Sequence, residues 1–215
     1  MKWLEVIHKC LSYVWPISIK KVNSPINGHL ELGWQDGKKV LNAQTVNYSF
    51  GNLHTVIQFA MKEMAKHNVL FNKVLILGYG GGSAAEIIRN KYNKKAQIVG
   101  EDIDKMVIEL AKTHFYHTDV EFIEGDALDF IRTNKNSQLF DVIIVDLFID
   151  NQEATFTREF AKNLKQWLAP NGMIAINSMD SAQKGQNIGR IFEEEGWKGE
   201  VLKVLTDNYV WLFRA

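Results

Sequence analysis

Three short stretches of this 215-residue chain combine residue types able to bind and activate a small molecule. The first, residues 74–83, reads Val-Leu-Ile-Leu-Gly-Tyr-Gly-Gly-Gly-Ser, an apolar strand running into a glycine-rich turn that opens a helix. Gly78, Gly80 and Gly82 let the backbone turn tightly and let a ligand approach the main chain. The helix N-terminus behind the turn offers free N–H groups and a positive dipole end, suited to a carboxylate or phosphate. No Gly-Lys-Ser/Thr follows, which excludes a phosphate loop of the nucleoside-triphosphatase kind. Ser83 breaks the dinucleotide spacing G-x-G-x-x-G/A, whereas G-x-G-x-G is met in full.

The second and third stretches are acids at the ends of apolar runs. Asp102, in Glu-Asp-Ile-Asp, lies 24 positions beyond Gly78, where a carboxylate can accept both hydroxyls of a ribose. Asp104 is placed to cap the helix that follows. Asp126, in Glu-Gly-Asp-Ala, can accept from an adenine amino group while the Ala127 amide serves a ring nitrogen; it is equally placed to cap the next helix. Asp146 follows the run Phe-Asp-Val-Ile-Ile-Val, and an acid there is costly unless it has partners. Asp102, Asp126 and Asp146 therefore stand on one sheet edge beside the glycine turn, the edge at which open α/β sheets bind ligands.

The elements that must position these residues follow from the hydrophobic pattern. From residue 72 onward, short apolar strands at 73–77, 97–101, 120–123, 141–145 and 173–177 alternate with amphipathic helices at 82–91, 105–115, 127–132, 155–167 and 183–195, the pattern of βαβ units and a parallel sheet. The end differs: 198–205 and 209–213 read as a hairpin, so the expected fold is α/β, a Rossmann-like seven-stranded sheet of methyltransferase type with a terminal antiparallel hairpin. Residues 1–71 form a separate front segment: an N-terminal helix closed by Pro16, strands at 17–22, 29–34 and 38–41 with an Asp36-Gly37 turn, and a linking helix at 52–67. In the first helix Trp3, Leu4, Ile7, Leu11 and Val14 fall at helical spacing. The helix is expected to dock on the body or on a second subunit, with a membrane surface as the alternative.

Composition narrows the function. Lys plus Arg and Asp plus Glu are 25 each, so neither nucleic acid nor an anionic membrane is expected as a partner. The balance is uneven along the chain: residues 1–71 carry +4 and residues 72–215 carry −4. Cys10 is the single cysteine, which rules out an intrachain disulfide and points to a reducing, cytoplasmic setting. No run approaches the roughly 20 apolar residues of a spanning helix, and no cysteine or histidine set has metal-site spacing; His114 and His117 read as surface residues.

Taken together, residues 74–83, 99–111, 124–127, 140–146 and the Leu-Ala-Pro-Asn-Gly turn at 168–172 resemble the class I S-adenosylmethionine-dependent methyltransferase fold, and in detail the spermidine synthase branch. The front segment is similar to the small β domain that precedes the core in that family. The resemblance implies that Gly78, Gly80 and Gly82 line the amino-acid portion of S-adenosylmethionine or decarboxylated S-adenosylmethionine, that Asp102 holds the ribose, and that Asp126 and Ala127 hold the adenine. Asp146 matches the first acid of the family's D-S-x-D-P motif, which helps to deprotonate an attacking amine.

Departures from the family pattern are equally specific. Gly81 stands where the family's glycine turn carries an acid, the run Asp-Leu-Phe-Ile-Asp at 146–150 sets the second acid one place late with Ile149 in its stead, and Leu53-His54-Thr55 keeps only the histidine of a Tyr-His-Glu run. A polyamine carries several ammonium groups that are costly to bury unpaired. The expectation is a small-molecule transferase acting on an acceptor, such as an amine, other than standard putrescine, with His54, Asp150 and Tyr209 as substrate-side candidates and a homodimer as a reasonable assembly. The alternative is a cofactor-binding or oligomer-forming homologue without catalysis; NAD-dependent oxidoreduction is disfavoured by Ser83 and the terminal hairpin.

Overall fold

The computed structural model describes residues 2–43, 52–115, 117, 119–133, 138–147, 155–178, 182–205 and 208–215. Helix α1 (Lys2–Leu11) leads into an antiparallel sheet of β1 (Ile17–Ser24), β2 (Gly28–Gln35) and β3 (Lys38–Ala43), followed by α2 (Asn52–Lys66). The larger sheet is built from β4 (Lys73–Leu77), β5 (Gln97–Asp102), β6 (Glu121–Glu124), β7 (Phe140–Val145), β8 (Leu168–Ser178), β9 (Lys198–Lys203) and β10 (Tyr209–Arg214). Its order is β6-β5-β4-β7-β8-β10-β9; the first five are parallel, and β10 runs antiparallel to both β8 and β9. This is the expected seven-stranded plan with its closing hairpin. Helices α3 (Ser83–Lys91), α4 (Lys105–His114), α5 (Ala127–Thr133), α6 (Arg158–Leu164) and α7 (Ala182–Glu194) make the crossovers.

Strand side chains alternate between two apolar layers, as a sheet covered on both faces requires. Val74, Ile76, Ile98, Val142 and Ile144 meet α2 and α3 on one face, while Leu75, Leu77, Val99, Ile143 and Val145 meet α5, α6 and α7 on the other. The second layer is aromatic: Phe192 stacks on Phe213 at 4.4 Å between centroids, and Trp197 donates its indole N–H to the Ala161 carbonyl at 3.1 Å.

A third, smaller core joins the front sheet to α4 through Leu30, Leu41, Val107 and Leu110. One buried carboxylate fastens that joint. Asp104 caps α4, accepting from the Met106 amide at 2.8 Å, and its other oxygen accepts from Ser24 Oγ and from Asn27 Nδ2 at 2.6 Å. The cap expected from sequence is thus also the tie between the two parts of the chain.

Two expectations are corrected. The Leu-Ala-Pro-Asn-Gly segment lies inside β8: Leu168 already pairs with Phe140, the register resumes at Met173 opposite Val142, and Asn171 takes φ +66° in the irregularity between. The apolar face of α1 does not dock on the body; Trp3, Leu4, Val6, Ile7 and Leu11 are all exposed.

Because Phe192 is fully enclosed by Trp197, Phe213 and the α7–β10 interface, Phe192→Ala is expected to lower stability by about 3–5 kcal/mol. Urea unfolding followed by tryptophan fluorescence checks this, with the unfolding slope unchanged.

Candidate functional site

The glycine turn opens between β4 and α3 at the carboxyl edge of the sheet. Gly78 has φ +79°, and a Cβ there would collide with the Asp146 carbonyl, so the turn passes directly against the end of β7. Gly82, φ +82°, is the N-cap of α3 and makes no side-chain cap hydrogen bond, so the positive end of the helix dipole faces the turn. That is the arrangement an anionic group needs.

Asp102 ends β5 beside this turn, buried. Its Oδ2 accepts from the Gly80 amide at 2.9 Å and its Oδ1 from the Asp104 amide at 2.9 Å. Two residues nominated separately by spacing are therefore bonded to one another. Burial raises the Asp102 carboxyl to about 6, with those two amides working against the rise. Neighbouring Glu101 is almost completely buried; burial and then the Asp102 charge push it up to about 8, and its Oε2 has no hydrogen-bond partner among the described residues. Sequence reasoning passed over Glu101; its signal was an acid in the body of a buried strand.

Asp146 follows β7 on the same edge. Asn177, near the end of β8, donates from Nδ2 to Asp146 Oδ1 at 2.8 Å. Burial raises Asp146 to about 6, the Asn177 bond opposes this, and the Asp102 charge adds to it. Asn177 is itself buried, its Oδ1 lacks a partner among the described residues, and it closes the polar end of a narrow apolar crevice lined by Val56, Ile57, Met61, Ile144 and Val210. The sequence reading missed Asn177, the polar end of the apolar run 173–176.

Asp126 is exposed at the end of β6 and caps α5, its Oδ1 accepting from the Leu128 amide at 2.8 Å, and Ala127 begins that helix, buried. The two stand across β5 from the turn. Tyr209 begins β10 opposite Ser178, half-buried, one step from the Asn177 register. His54 sits half-buried on α2, its pKa lowered by burial and then by Lys38 and Lys91. Asp150 and Ile149 lie outside the described residues. Among the described residues no cluster of three or more His, Cys, Asp or Glu forms a metal-binding group.

His117 is corrected from a surface residue to a wall of the turn. Its ring lies where a Cβ on Gly82 would be, and its Nδ1 bonds Tyr79 Oη at 2.7 Å. Burial, then Arg89, lowers His117 to about 4, so the imidazole is neutral near pH 7. Tyr79 lies over Gly100, whose missing side chain makes room for the ring, and meets Phe122 edge-on at 4.8 Å.

Comparison with known proteins bears on the family and the fold. Residues 56–190 match the spermine/spermidine synthase domain. The chain is 34% identical over 150 residues to a spermidine synthase of Dictyostelium discoideum, covering 59% of this chain and 51% of that one. It is 30% identical over 137 residues to a polyamine aminopropyltransferase of Vibrio vulnificus strain CMCP6, covering 59% and 46%. The chain spans about half the length of these curated relatives. Among solved structures, a Thermotoga maritima spermidine synthase superposes with a TM-score of 0.65 at 16% identity, covering 92% of this chain and 72% of that one. Human methyltransferase-like protein 13 in complex with SAH superposes with a TM-score of 0.62 at 18% identity, covering 77% and 82%.

The raised acids carry a pH signature. Each holds its proton in the folded state to a higher pH than in the unfolded chain, so the folded form binds more protons and loses stability as pH rises, from about 4 through about 6 for Asp102 and Asp146 and through about 8 for Glu101. Glu101→Gln is expected to match the parent near about pH 4, below the unfolded-state pKa of the carboxyl, and to melt higher than it near about pH 9. Thermal melts across that range check the sign.

Proposed function

The chain belongs to the spermine/spermidine synthase family, and on that premise we propose that it is a small-molecule transferase. It uses S-adenosylmethionine or its decarboxylated form, with Asp146 handling the proton of the acceptor. The observation that carries the reading is the pairing of Asp146, raised to about 6, with Asn177 at 2.8 Å, on the sheet edge that also holds the Gly80–Asp102 bond.

The residues present fit an adenosyl ligand. Asp102 is the acceptor for ribose hydroxyls, Asp126 keeps its second oxygen for the adenine amino group beside the Ala127 amide, and the N-terminal end of α3 suits a carboxylate. When bound, the sulfonium supplies an activated carbon. The chain supplies the rest. An ammonium acceptor has no lone pair, so it must give up a proton before it can bond to that carbon as the carbon–sulfur bond breaks and the thioether leaves. Asp146 is the base that takes or relays the proton, and Asn177 fixes the orientation of its carboxylate. Holding acceptor and carbon in line accounts for much of the remaining acceleration.

One feature favours an acceptor other than a standard polyamine. Gly81 and Thr55 replace acids at the positions matching the family pattern, which removes counter-charges for a second ammonium. Relatives bearing the name polyamine aminopropyltransferase make aminopropyl transfer one form of the reaction, and methyl transfer is the other.

Calorimetric titration with S-adenosylmethionine, decarboxylated S-adenosylmethionine and NAD is expected to show binding of a sulfonium ligand and not of NAD; no binding at sub-millimolar concentration contradicts the site. Asp146→Asn is expected to lower turnover at least about 100-fold while leaving sulfonium affinity within about threefold. An unchanged rate removes Asp146 from its role. Loss of turnover in neither protein, because the parent has none with any acceptor, favours the non-catalytic binder.

A further inference from the structure

Helix α1 is turned inside out. On its inner side Glu5 pairs with Lys39 at 2.8 Å, and the same ammonium donates to the His114 carbonyl at 2.7 Å. Just past the helix, buried Ser12 accepts from the Gly37 amide through Oγ at 3.0 Å, and its carbonyl accepts from the Asp36 amide at 3.0 Å. These bonds hold the helix at one rotation, polar side in. The outward side carries Leu4, Val6, Ile7 and Leu11, with Trp3 82%, Val14 86% and Trp15 73% exposed. Side chains this open stand as a ridge and do not line a groove. Their combined apolar surface is on the order of 1,000 Å², above the few hundred Å² usual for the largest patch on a soluble monomer.

We propose that α1 and the turn after it form a membrane-contact surface that lies in the headgroup region of an anionic bilayer. Two features select lipid over a second copy of the chain. Trp3 and Trp15 bracket the aliphatic side chains, and such amphipathic rings partition to the bilayer interface. Residues 2–26 contain four lysines, at positions 2, 9, 20 and 21, against one acid, Glu5; Glu5 pairs with Lys39 and Lys21 with Glu31 at 3.8 Å, so the segment stays basic. Anionic headgroups attract such a segment, whereas two copies face to face bring like charges together. A ridge also needs no shaped counterpart in a fluid phase, while a protein interface requires a complementary surface. The acidic region 72–215, at −4, is repelled by the same headgroups, which turns the front segment towards them. This departs from the expectation of no membrane partner; no described helix is long and apolar enough to cross a membrane, so the contact is peripheral.

The test is co-sedimentation of the full chain with phosphatidylcholine vesicles containing about 30 mol% phosphatidylserine, and with phosphatidylcholine alone. Binding is expected on the anionic vesicles, reduced at least about fivefold on neutral ones and at about 0.5 M salt. A Trp3→Ser/Trp15→Ser double variant is expected to lose binding by at least about fivefold with an unchanged circular dichroism spectrum and melting temperature, since both side chains are exposed. Sedimentation with neither vesicle overturns the proposal, as does a double variant that binds like the parent. A lipid-indifferent dimer, seen by light scattering and dissociated by the double variant, also overturns it and assigns the ridge to a second copy.

Discussion

The molecule is organised around the difficulty of keeping carboxylates at the ends of buried parallel strands. An acid in that position loses its hydration and keeps its charge only if amides or side-chain donors replace the water. Asp102 receives two backbone amides and Asp146 receives Asn177, yet both stay raised to about 6, and Glu101 is raised further. Partial compensation of this kind destabilises the unliganded fold and leaves acceptor capacity for something else. On the proposed function a ribose or an ammonium would supply the missing donors, giving the energetic cost of the edge and its binding chemistry the same origin.

What the sequence made legible were features encoded locally. A glycine turn, an apolar run and an acid at its end all lie within a dozen residues, and alternating strand and helix periods announce the doubly covered sheet. The residues that went unread act across the fold. Asn177 meets Asp146 from 31 positions away, and His117 meets Tyr79 from 38. Both pairings depend on strand order, which no local pattern reports. The segment 168–172 was misread for a related reason: its Pro, Asn and Gly announce a turn, but pairing of Leu168 with Phe140 carries the strand through it as an irregularity. Helical periodicity likewise revealed that α1 is two-faced without revealing which face points inward. That depended on Lys39, 34 residues after Glu5.

The zero net charge of the chain takes its meaning from this layout. Under the proposed function the core's acids gather where a sulfonium and an amine would be met by negative charge, while the front segment keeps its apolar ridge for the outside and turns Lys39 inward onto Glu5. Asp104 lies at the junction, binding Ser24 and Asn27 of the front sheet while capping a helix of the core, two residues from Asp102. A shift of the front segment is therefore felt directly at the candidate ribose contact, through the Asp104 amide that bonds Asp102.

The most direct measurement is a crystal structure of the chain with S-adenosylhomocysteine bound. The account predicts the ribose hydroxyls within about 3 Å of Asp102, the adenine beside Asp126 and Ala127, and the sulfur on the Asp146 side of the glycine turn. A ligand bound away from this edge, or bound there without contact to Asp102, would contradict it.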